Sequence, residues 1–144
     1  VVLIATGGVT IWHNPACGTS RNVLGLIRNA GIEPAIVEYL HAPPDRTTLE
    51  AAIARMAIPV RYLVRQKEAL YAELGLDHAD DAALLDAMLA HPVLINRPVV
   101  FTGAAVRLCR PSETVLGILP QPQRGEFARE DGHPVVDASG RHIG

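Results

Sequence analysis

Cysteine is scarce in this sequence, which has only Cys17 and Cys109 among 144 residues. A widely spaced pair in a chain of this size does not suggest the disulfide framework of a secreted protein, so we expect a reducing, cytoplasmic setting. The segment Ala16-Cys17-Gly18-Thr19-Ser20 contains no second cysteine. A Cys-x-x-Cys dithiol centre is therefore excluded, and whatever forms on Cys17 has to be resolved by a thiol from outside the chain.

Aromatic residues, net charge and long apolar runs are also scarce. Aromatic residues make up 4% of the chain, which argues against a base-stacking surface for nucleic acid. Thirteen basic and 15 acidic residues give a net charge of −2, so any affinity for anions has to be local. The apolar run at residues 1–5 has no basic flank and is too short to span a bilayer, so it is expected to be neither a signal peptide nor a membrane helix. We expect neither a nucleic-acid partner nor a membrane partner.

The apolar residues that are present, 49% of the chain, are enough for the core of a single domain covering residues 1–144. Their spacing predicts, in order, a strand, a helix, a strand, a helical block, two strands and a last helix. The strands are expected at residues 9–12, 35–39, 99–101 and 106–109, and Ser112 is expected to cap the last helix.

This order is that of an α/β thioredoxin-like mixed sheet, with the helical block at about residues 45–91 inserted between its two halves. From Pro120 to residue 144 the composition shifts to Pro, Gly, Gln and charge, which predicts a loosely ordered tail with Val135 and Val136 held against the body. In the helical block, Thr47 and Glu50 form the pattern of a capping box, and Asp80 or Asp81 can cap a later helix.

Cys17 follows the turn His13-Asn14-Pro15 and begins the first predicted helix. Unpaired N–H groups at a helix N-terminus favour a thiolate and can bind an oxyanion, and His13 and Arg21 can add positive charge. The alternative for Cys17 is a buried, inert thiol, which is common for cysteine. His13 can serve the thiolate as a hydrogen-bond or proton partner, or it can simply end its strand. Asn14 is expected to orient the loop through a backbone hydrogen bond.

Three arginines, Arg65, Arg97 and Arg110, stand at the edges of apolar segments, and two of them directly precede a proline. A guanidinium held on a rigid turn suits bidentate recognition of a tetrahedral oxyanion, although each arginine taken alone could be a surface residue. Cys109 is expected to pack in the core or at an edge, with a resolving role as the weaker alternative. The histidines show no metal-ligand spacing, so we predict no metal site.

A cysteine that opens an oxyanion loop also occurs in the low-molecular-weight tyrosine phosphatases and in the arsenate reductases built on that fold. Those proteins need an arginine six positions after the cysteine. Here that position is Val23, within the apolar stripe of the helix, which excludes this class.

The chain resembles the glutaredoxin-coupled bacterial arsenate reductases, the ArsC family. The resemblance runs from Ile11 to about Asp137 and is concentrated in three segments. These segments are His13-Asn14-Pro15-Ala16-Cys17-Gly18-Thr19-Ser20-Arg21-Asn22, Ile95-Asn96-Arg97-Pro98 and Arg107-Leu108-Cys109-Arg110-Pro111-Ser112-Glu113. In the fold that this implies, a cis-proline faces the reactive cysteine, and Pro98 is placed to be that proline.

The resemblance implies a role for each candidate residue. Cys17 corresponds to the catalytic cysteine, His13 to a residue that influences it, and Arg65, Arg97 and Arg110 to the arginines that hold the oxyanion. The sequence around Arg65 departs most from the family pattern. The implied reaction reduces arsenate to arsenite with glutathione and glutaredoxin as electron donors and no tightly bound cofactor. The alternative is a thioredoxin-like binding or regulatory module, such as the Spx-type regulators, without arsenate turnover.

Overall fold

The computed structural model describes residues 8–143, and the apolar run predicted to be neither a signal peptide nor a membrane helix lies outside them. Its helices are α1 (Gly18–Asn29), α2 (Arg46–Met56), α3 (Val60–Leu63), α4 (Ala69–Glu73) and α5 (Asp81–Ala90). Its strands are β1 (Thr10–Trp12), β2 (Ala35–Val37), β3 (Val99–Phe101), β4 (Val106–Leu108), β5 (Phe127–Ala128) and β6 (Pro134–Val136). Within residues 8–143, no helix combines the length and the apolar character needed to cross a membrane.

The main sheet has the strand order β2-β1-β3-β4. The central strand β1 pairs in parallel with β2 and antiparallel with β3, and β3 pairs antiparallel with β4. The parallel pair is joined through α1, as a βαβ crossover requires. The sheet confirms the predicted thioredoxin-like fold class.

Helix α1 packs its apolar stripe on this sheet. Val23, Leu26 and Ile27 are fully buried, in one cluster with Ile11 of β1 and Val100 of β3. The helix ends just before Gly31, which lies past the cap residue and adopts a positive φ of 78° that favours glycine. The apolar spacing therefore determines which face of α1 packs on the sheet, and this packing positions the N-terminus of the helix, where Cys17 lies.

The chain divides into two compact units, the first made of the described residues of Val1–Val37 and Arg97–Gly144, the second of Glu38–Asn96. The second unit contains α2 to α5, in which α5 packs against α2 and α3. The predicted capping box of α2 is wrong, because the cap is Asp45, whose side chain accepts the Thr48 N–H. The predicted Asp80 cap of α5 is confirmed, since its carboxylate accepts the Ala83 N–H. Whether the chain forms a single domain stays a prediction.

The segment from Pro120 onwards differs from the loose order expected of it. It contains the antiparallel pair β5–β6. Val135 and Val136 are buried in the core cluster with α1, as predicted. Gln123 is also buried, and its amide donates to the carbonyl of Leu26 at 2.8 Å. Hydrogen bonds from polar side chains thus order a segment whose composition indicated a loop.

The last predicted helix is also shorter and tighter than expected. Ser112–Gly117 forms a 3-10 helix whose cap residue is Pro111, so the predicted Ser112 cap is wrong. The Ser112 hydroxyl instead donates to the Glu113 carboxylate at 2.6 Å. Val115 of this helix is buried against α1.

Candidate active site around Cys17

The register of the sheet brings the two Arg-Pro segments together. Val99 lies opposite Leu108 across the antiparallel pair, so continuing the register places Arg97 opposite Arg110. Two contacts agree with this, because Cys109 N–H donates to the Pro98 carbonyl at 2.9 Å and Arg110 Nη1 donates to the Arg97 carbonyl at 3.1 Å. Both Arg-Pro peptide bonds are cis, Pro98 included, as the fold class implies.

The same edge of the sheet carries the cysteine loop, because β1 ends beside the start of β3. Trp12 lies opposite Val99, and the next residues of the chain make the turn into α1. In that turn Asn14 Oδ1 accepts the Ala16 N–H at 2.9 Å and the Asn14 carbonyl accepts the Cys17 N–H at 3.0 Å, so Asn14 orients the loop as expected. Cys17 therefore begins α1 as its N-terminal cap residue.

Arg110 and Cys17 meet in this arrangement. Arg110 Nη1 lies 3.8 Å from Cys17 Sγ, within the distance of a hydrogen bond to sulfur. The two residues are 93 positions apart in the chain, so the sheet register rather than local sequence places them together. The convergence of Cys17, Arg97 and Arg110 that the sequence alone could not establish is present in the first compact unit.

The charge state of Cys17 follows from opposing effects. Partial burial of the thiol, the largest single effect, raises the pKa of Cys17, but the Ser20 backbone N–H, the positive charge of Arg97 and the contact with Arg110 together outweigh it. The pKa of Cys17 is therefore lowered, which increases the fraction of thiolate at neutral pH. The Ser20 N–H acts on the sulfur as a hydrogen-bond donor, although this contact falls short of a capping hydrogen bond of ordinary geometry.

His13 is buried and contacts the first turn of α1. Its Nδ1 lies 2.6 Å from Ser20 Oγ, and the same hydroxyl accepts the Asn14 N–H at 3.1 Å. The backbone N–H of His13 donates to Val37 of β2 at 2.8 Å, so the ring projects from a fixed strand end. His13 is thus tied through Ser20 to the residue whose backbone N–H lowers the pKa of Cys17.

Arg21, which the sequence suggested can add positive charge near Cys17, interacts with Cys17 through its charge but is held mainly by an acidic partner. Its guanidinium makes two hydrogen bonds to the Glu130 carboxylate, at 2.8 and 2.9 Å, and a third to the Pro15 carbonyl at 2.7 Å. Both partners of the ion pair are about half exposed. Arg21 therefore connects the cysteine loop to the C-terminal segment, and its charge is largely balanced.

Arg65 belongs to the second compact unit, where it follows α3. Its Nη1 lies 3.3 Å from the Glu68 carboxylate, and its backbone N–H donates to Leu94 at 2.7 Å. Arg61, within α3, has a structural role, because its guanidinium donates to Tyr71 Oη and to the carbonyls of Leu76 and Ala79. The predicted role of Arg65 in oxyanion binding stays a prediction.

Cys109 is fully buried in the core cluster, as expected for a packing residue. Burial raises the pKa of its thiol to about 12, so the thiol is protonated at neutral pH. A protonated, inaccessible thiol is a poor candidate for the resolving role that the sequence left open. Among residues 8–143, no cluster of three His, Cys, Asp or Glu side chains could hold a metal ion.

Ser20 is the site residue that sequence reasoning missed. It is fully buried, bonds to His13 and directs its own N–H toward the thiol. The available signal was its position three residues after the cap, where the N–H of a helix meets the cap side chain. A Ser at that position after a cysteine, with a histidine at the end of the preceding strand, is a pattern that a sequence can show.

The sheet order, the cis-proline beside β3 and the activated cysteine at the start of α1 define a thioredoxin-like protein. Its family follows from comparison with known proteins. A sequence profile described as the ArsC family matches residues 12–118, and the chain belongs to this family.

The relatives agree with this assignment. An arsenate reductase of Rhizobium meliloti (strain 1021) is 58% identical over 137 residues, which cover 94% of this chain and 98% of the relative. An arsenate reductase of Escherichia coli (strain K12) is 56% identical over 137 residues, covering 94% and 97%. Among solved structures, an arsenate reductase from Vibrio cholerae is similar with a TM-score of 0.74 at 42% identity, covering 77% of this chain and 97% of that one.

Proposed function

We propose that this chain is an arsenate reductase that uses Cys17 as its nucleophile and glutathione and glutaredoxin as electron donors. Arsenate reductase activity is supported by the family and by the names of its close relatives. The observation that carries the mechanism is the 3.8 Å contact between Arg110 Nη1 and Cys17 Sγ, with Arg97 beside it. A thiolate and two guanidinium groups at one place can attract and attack a tetrahedral oxyanion.

The first step is attack of the Cys17 thiolate on arsenic. A sulfur–arsenic bond forms and one oxygen leaves as water after taking up protons, so arsenic remains As(V) in the adduct. Thiolate and arsenate are both anions, and the positive charges of Arg97 and Arg110 offset their repulsion and stabilise the leaving oxygen. The unpaired amides of the first turn of α1 add donors for the oxyanion.

The electrons come from two thiols outside the chain. Glutathione adds its sulfur to the arsenic of the adduct and releases a second water. The glutaredoxin thiolate then attacks that glutathione sulfur, a mixed disulfide of glutathione and glutaredoxin forms, and the electron pair of the sulfur–arsenic bond reduces As(V) to As(III). Hydrolysis of the remaining bond to Cys17 releases arsenite. Cys109 is buried and protonated, which favours external thiols over an internal one.

His13 acts in this proposal as a positioning residue. Its bond to Ser20 holds the first turn of α1 in the orientation that directs the Ser20 N–H to the thiol. No tightly bound cofactor is needed, because the reducing equivalents arrive on the two thiol partners. The proposed role is arsenic detoxification in the cytoplasm, where glutathione keeps thiols reduced.

A coupled assay tests the proposal. The purified chain, mixed with arsenate, glutathione, glutaredoxin, glutathione reductase and NADPH, should oxidise NADPH and form arsenite. Cys17→Ser should reduce the rate to background, since the hydroxyl is a far weaker nucleophile than the thiolate. Cys109→Ala is the matched control and should keep turnover, because its thiol takes no part.

Two results would contradict the proposal. Turnover that persists in Cys17→Ser would exclude Cys17 as the nucleophile. The second result is an unmodified chain that oxidises NADPH only at the background rate and a partner protein that still binds after Arg97→Gln and Arg110→Gln. This result would favour the binding or regulatory module. Arg65→Gln in the same assay tests the remaining arginine, and a normal KM for arsenate would remove it from the site.

A further inference from the structure

A cavity of about 310 Å³ lies beside the Cys17 site, within the first compact unit. Two of its lining residues, Gly18 and Pro111, directly follow Cys17 and Arg110 in the chain. Since Cys17 and Arg110 are in contact, the cavity adjoins the place where arsenic would be attached. Its volume lies at the lower end of the range for small-molecule sites, enough for an amino-acid-sized group.

The charged groups that line this cavity come from the C-terminal segment. Arg129, Glu130 and Asp131 all line it, but the Glu130 carboxylate is already bound by Arg21. The cavity therefore offers one cation, Arg129, and one anion, Asp131, whose side chain is 69% exposed.

Arg129 is only loosely paired. The nearest carboxylate oxygens, on Glu113 and Asp131, both lie 3.8 Å from its guanidinium, beyond hydrogen-bond distance. Its Nε is buried, and no residue of the described chain accepts a hydrogen bond from it. Burying a guanidinium N–H without an acceptor is costly, so a carboxylate that entered the cavity would gain by pairing with it.

We infer that this cavity binds the γ-glutamyl end of the glutathione co-substrate. This rests on the proposed function, which supplies a thiol donor at Cys17. The γ-glutamyl end carries an α-carboxylate and an α-ammonium. The carboxylate is opposite in charge to Arg129, and the ammonium is opposite in charge to Asp131. The glycine end carries a carboxylate alone and would leave Asp131 without a partner. Unpaired amides of Gly18 and Thr19, in the first turn of α1, add donors for the carboxylate.

The inference is tested by direct binding of S-methylglutathione, whose blocked sulfur cannot react. Isothermal titration calorimetry with the full chain should show saturable binding, weakened about tenfold by Arg129→Gln through loss of a charge-assisted pair. Arg28→Gln is the matched control, because Arg28 is an exposed arginine paired with Glu33 at the other end of α1. Equal affinities for the two variants would overturn the inference.

A second variant separates recognition of the ammonium from damage to the fold. The glutaryl analogue of S-methylglutathione lacks the ammonium and should bind the unmodified chain more weakly than S-methylglutathione does. In Asp131→Asn the two ligands should bind alike. A preference for the ammonium that survives Asp131→Asn would contradict the assignment, whatever the stability of Arg129→Gln.

Steady-state kinetics distinguish this inference from the proposed function. Arg129→Gln should raise the KM for glutathione about tenfold and leave the KM for arsenate within about twofold. Normal turnover with an unchanged KM for glutathione would overturn the cavity assignment and leave the proposed function standing. If the chain bound S-methylglutathione through Arg129 but did not reduce arsenate, the proposed function would be wrong and the cavity assignment would stand.

Discussion

The pKa of Cys17 is lowered because several weak effects exceed the cost of burying its charge. Partial burial alone would raise the pKa of Cys17, and the Ser20 N–H, Arg97 and Arg110 together lower it by more. Each donor is held by a separate contact: Ser20 by His13, and Arg110 by the Arg97 carbonyl. The thiolate therefore depends on residues that the chain brings together from three distant segments.

Removing the Arg110 charge should raise the pKa of Cys17. The thiolate is the reactive form, so alkylation by iodoacetamide speeds up as pH rises through the pKa of Cys17. With that pKa lowered in the native site, the midpoint lies below that of an ordinary thiol, and in Arg110→Gln it should move to higher pH. The measurement is the alkylation rate as a function of pH, with Cys109 shielded by burial.

Arg28→Gln serves as the control for that pH profile. Arg28 is bound to Glu33 near the end of α1, at 2.8 and 2.9 Å, and is absent from the groups that shift the pKa of Cys17. Its profile should match that of the unmodified chain. Equal shifts in the two variants would mean that overall charge, rather than the Arg110 contact, sets the pKa.

At the scale of residues, sequence could indicate which side chains carry chemistry but not which of them meet. A cysteine at a helix start and arginines before prolines are local patterns, whereas the contact of Arg110 with Cys17 depends on the strand register. The strand register can be predicted from sequence, because the hairpin turn between β3 and β4 sets which residues lie opposite each other. The ion pair of Arg21 with Glu130 cannot be predicted, since no pattern near either residue indicates the other.

At the scale of elements, α1 is held along its length by the C-terminal segment. Glu130 binds Arg21 near its start, and Gln123 binds the Leu26 carbonyl and the Asn29 amide near its end. The helix that carries Cys17 is thus fixed from both sides, by the sheet and by this segment. Periodicity predicted the face on the sheet, but the other contacts are polar and long-range and leave no periodic signal.

Gln123→Ala should destabilise the fold by about 1–3 kcal/mol, because it removes the side-chain donor to the buried Leu26 carbonyl and one of the two acceptors of the Asn29 amide. Gln121→Ala is the matched control, an exposed glutamine two residues earlier, and should change stability by less than about 0.5 kcal/mol. Urea unfolding can be followed by the fluorescence of Trp12, the single tryptophan, which lies on β1 in the same compact unit. Equal midpoints for the two variants would show that this segment does not stabilise α1.

At the scale of the whole molecule, the net charge of −2 gives no general attraction for anions. The oxyanion affinity that we propose therefore has to come from local positive groups, of which Arg97 and Arg110 act on Cys17 within the first unit. A site of this kind recognises shape and charge, and phosphate nearly matches arsenate in both. Discrimination then has to lie in the chemistry, because thiols reduce As(V) but not P(V).

Phosphate should accordingly inhibit the proposed reaction competitively and without turnover. Raising phosphate in the coupled assay should increase the apparent KM for arsenate and leave kcat unchanged, since both anions need the same arginines. Sodium chloride at the same ionic strength is the control, because screening alone weakens the attraction between exposed charges. If chloride inhibited as strongly as phosphate, the effect would be screening and not occupancy of the site. If phosphate lowered kcat and left KM unchanged, it would bind elsewhere, and the assignment of Arg97 and Arg110 to the oxyanion would be wrong.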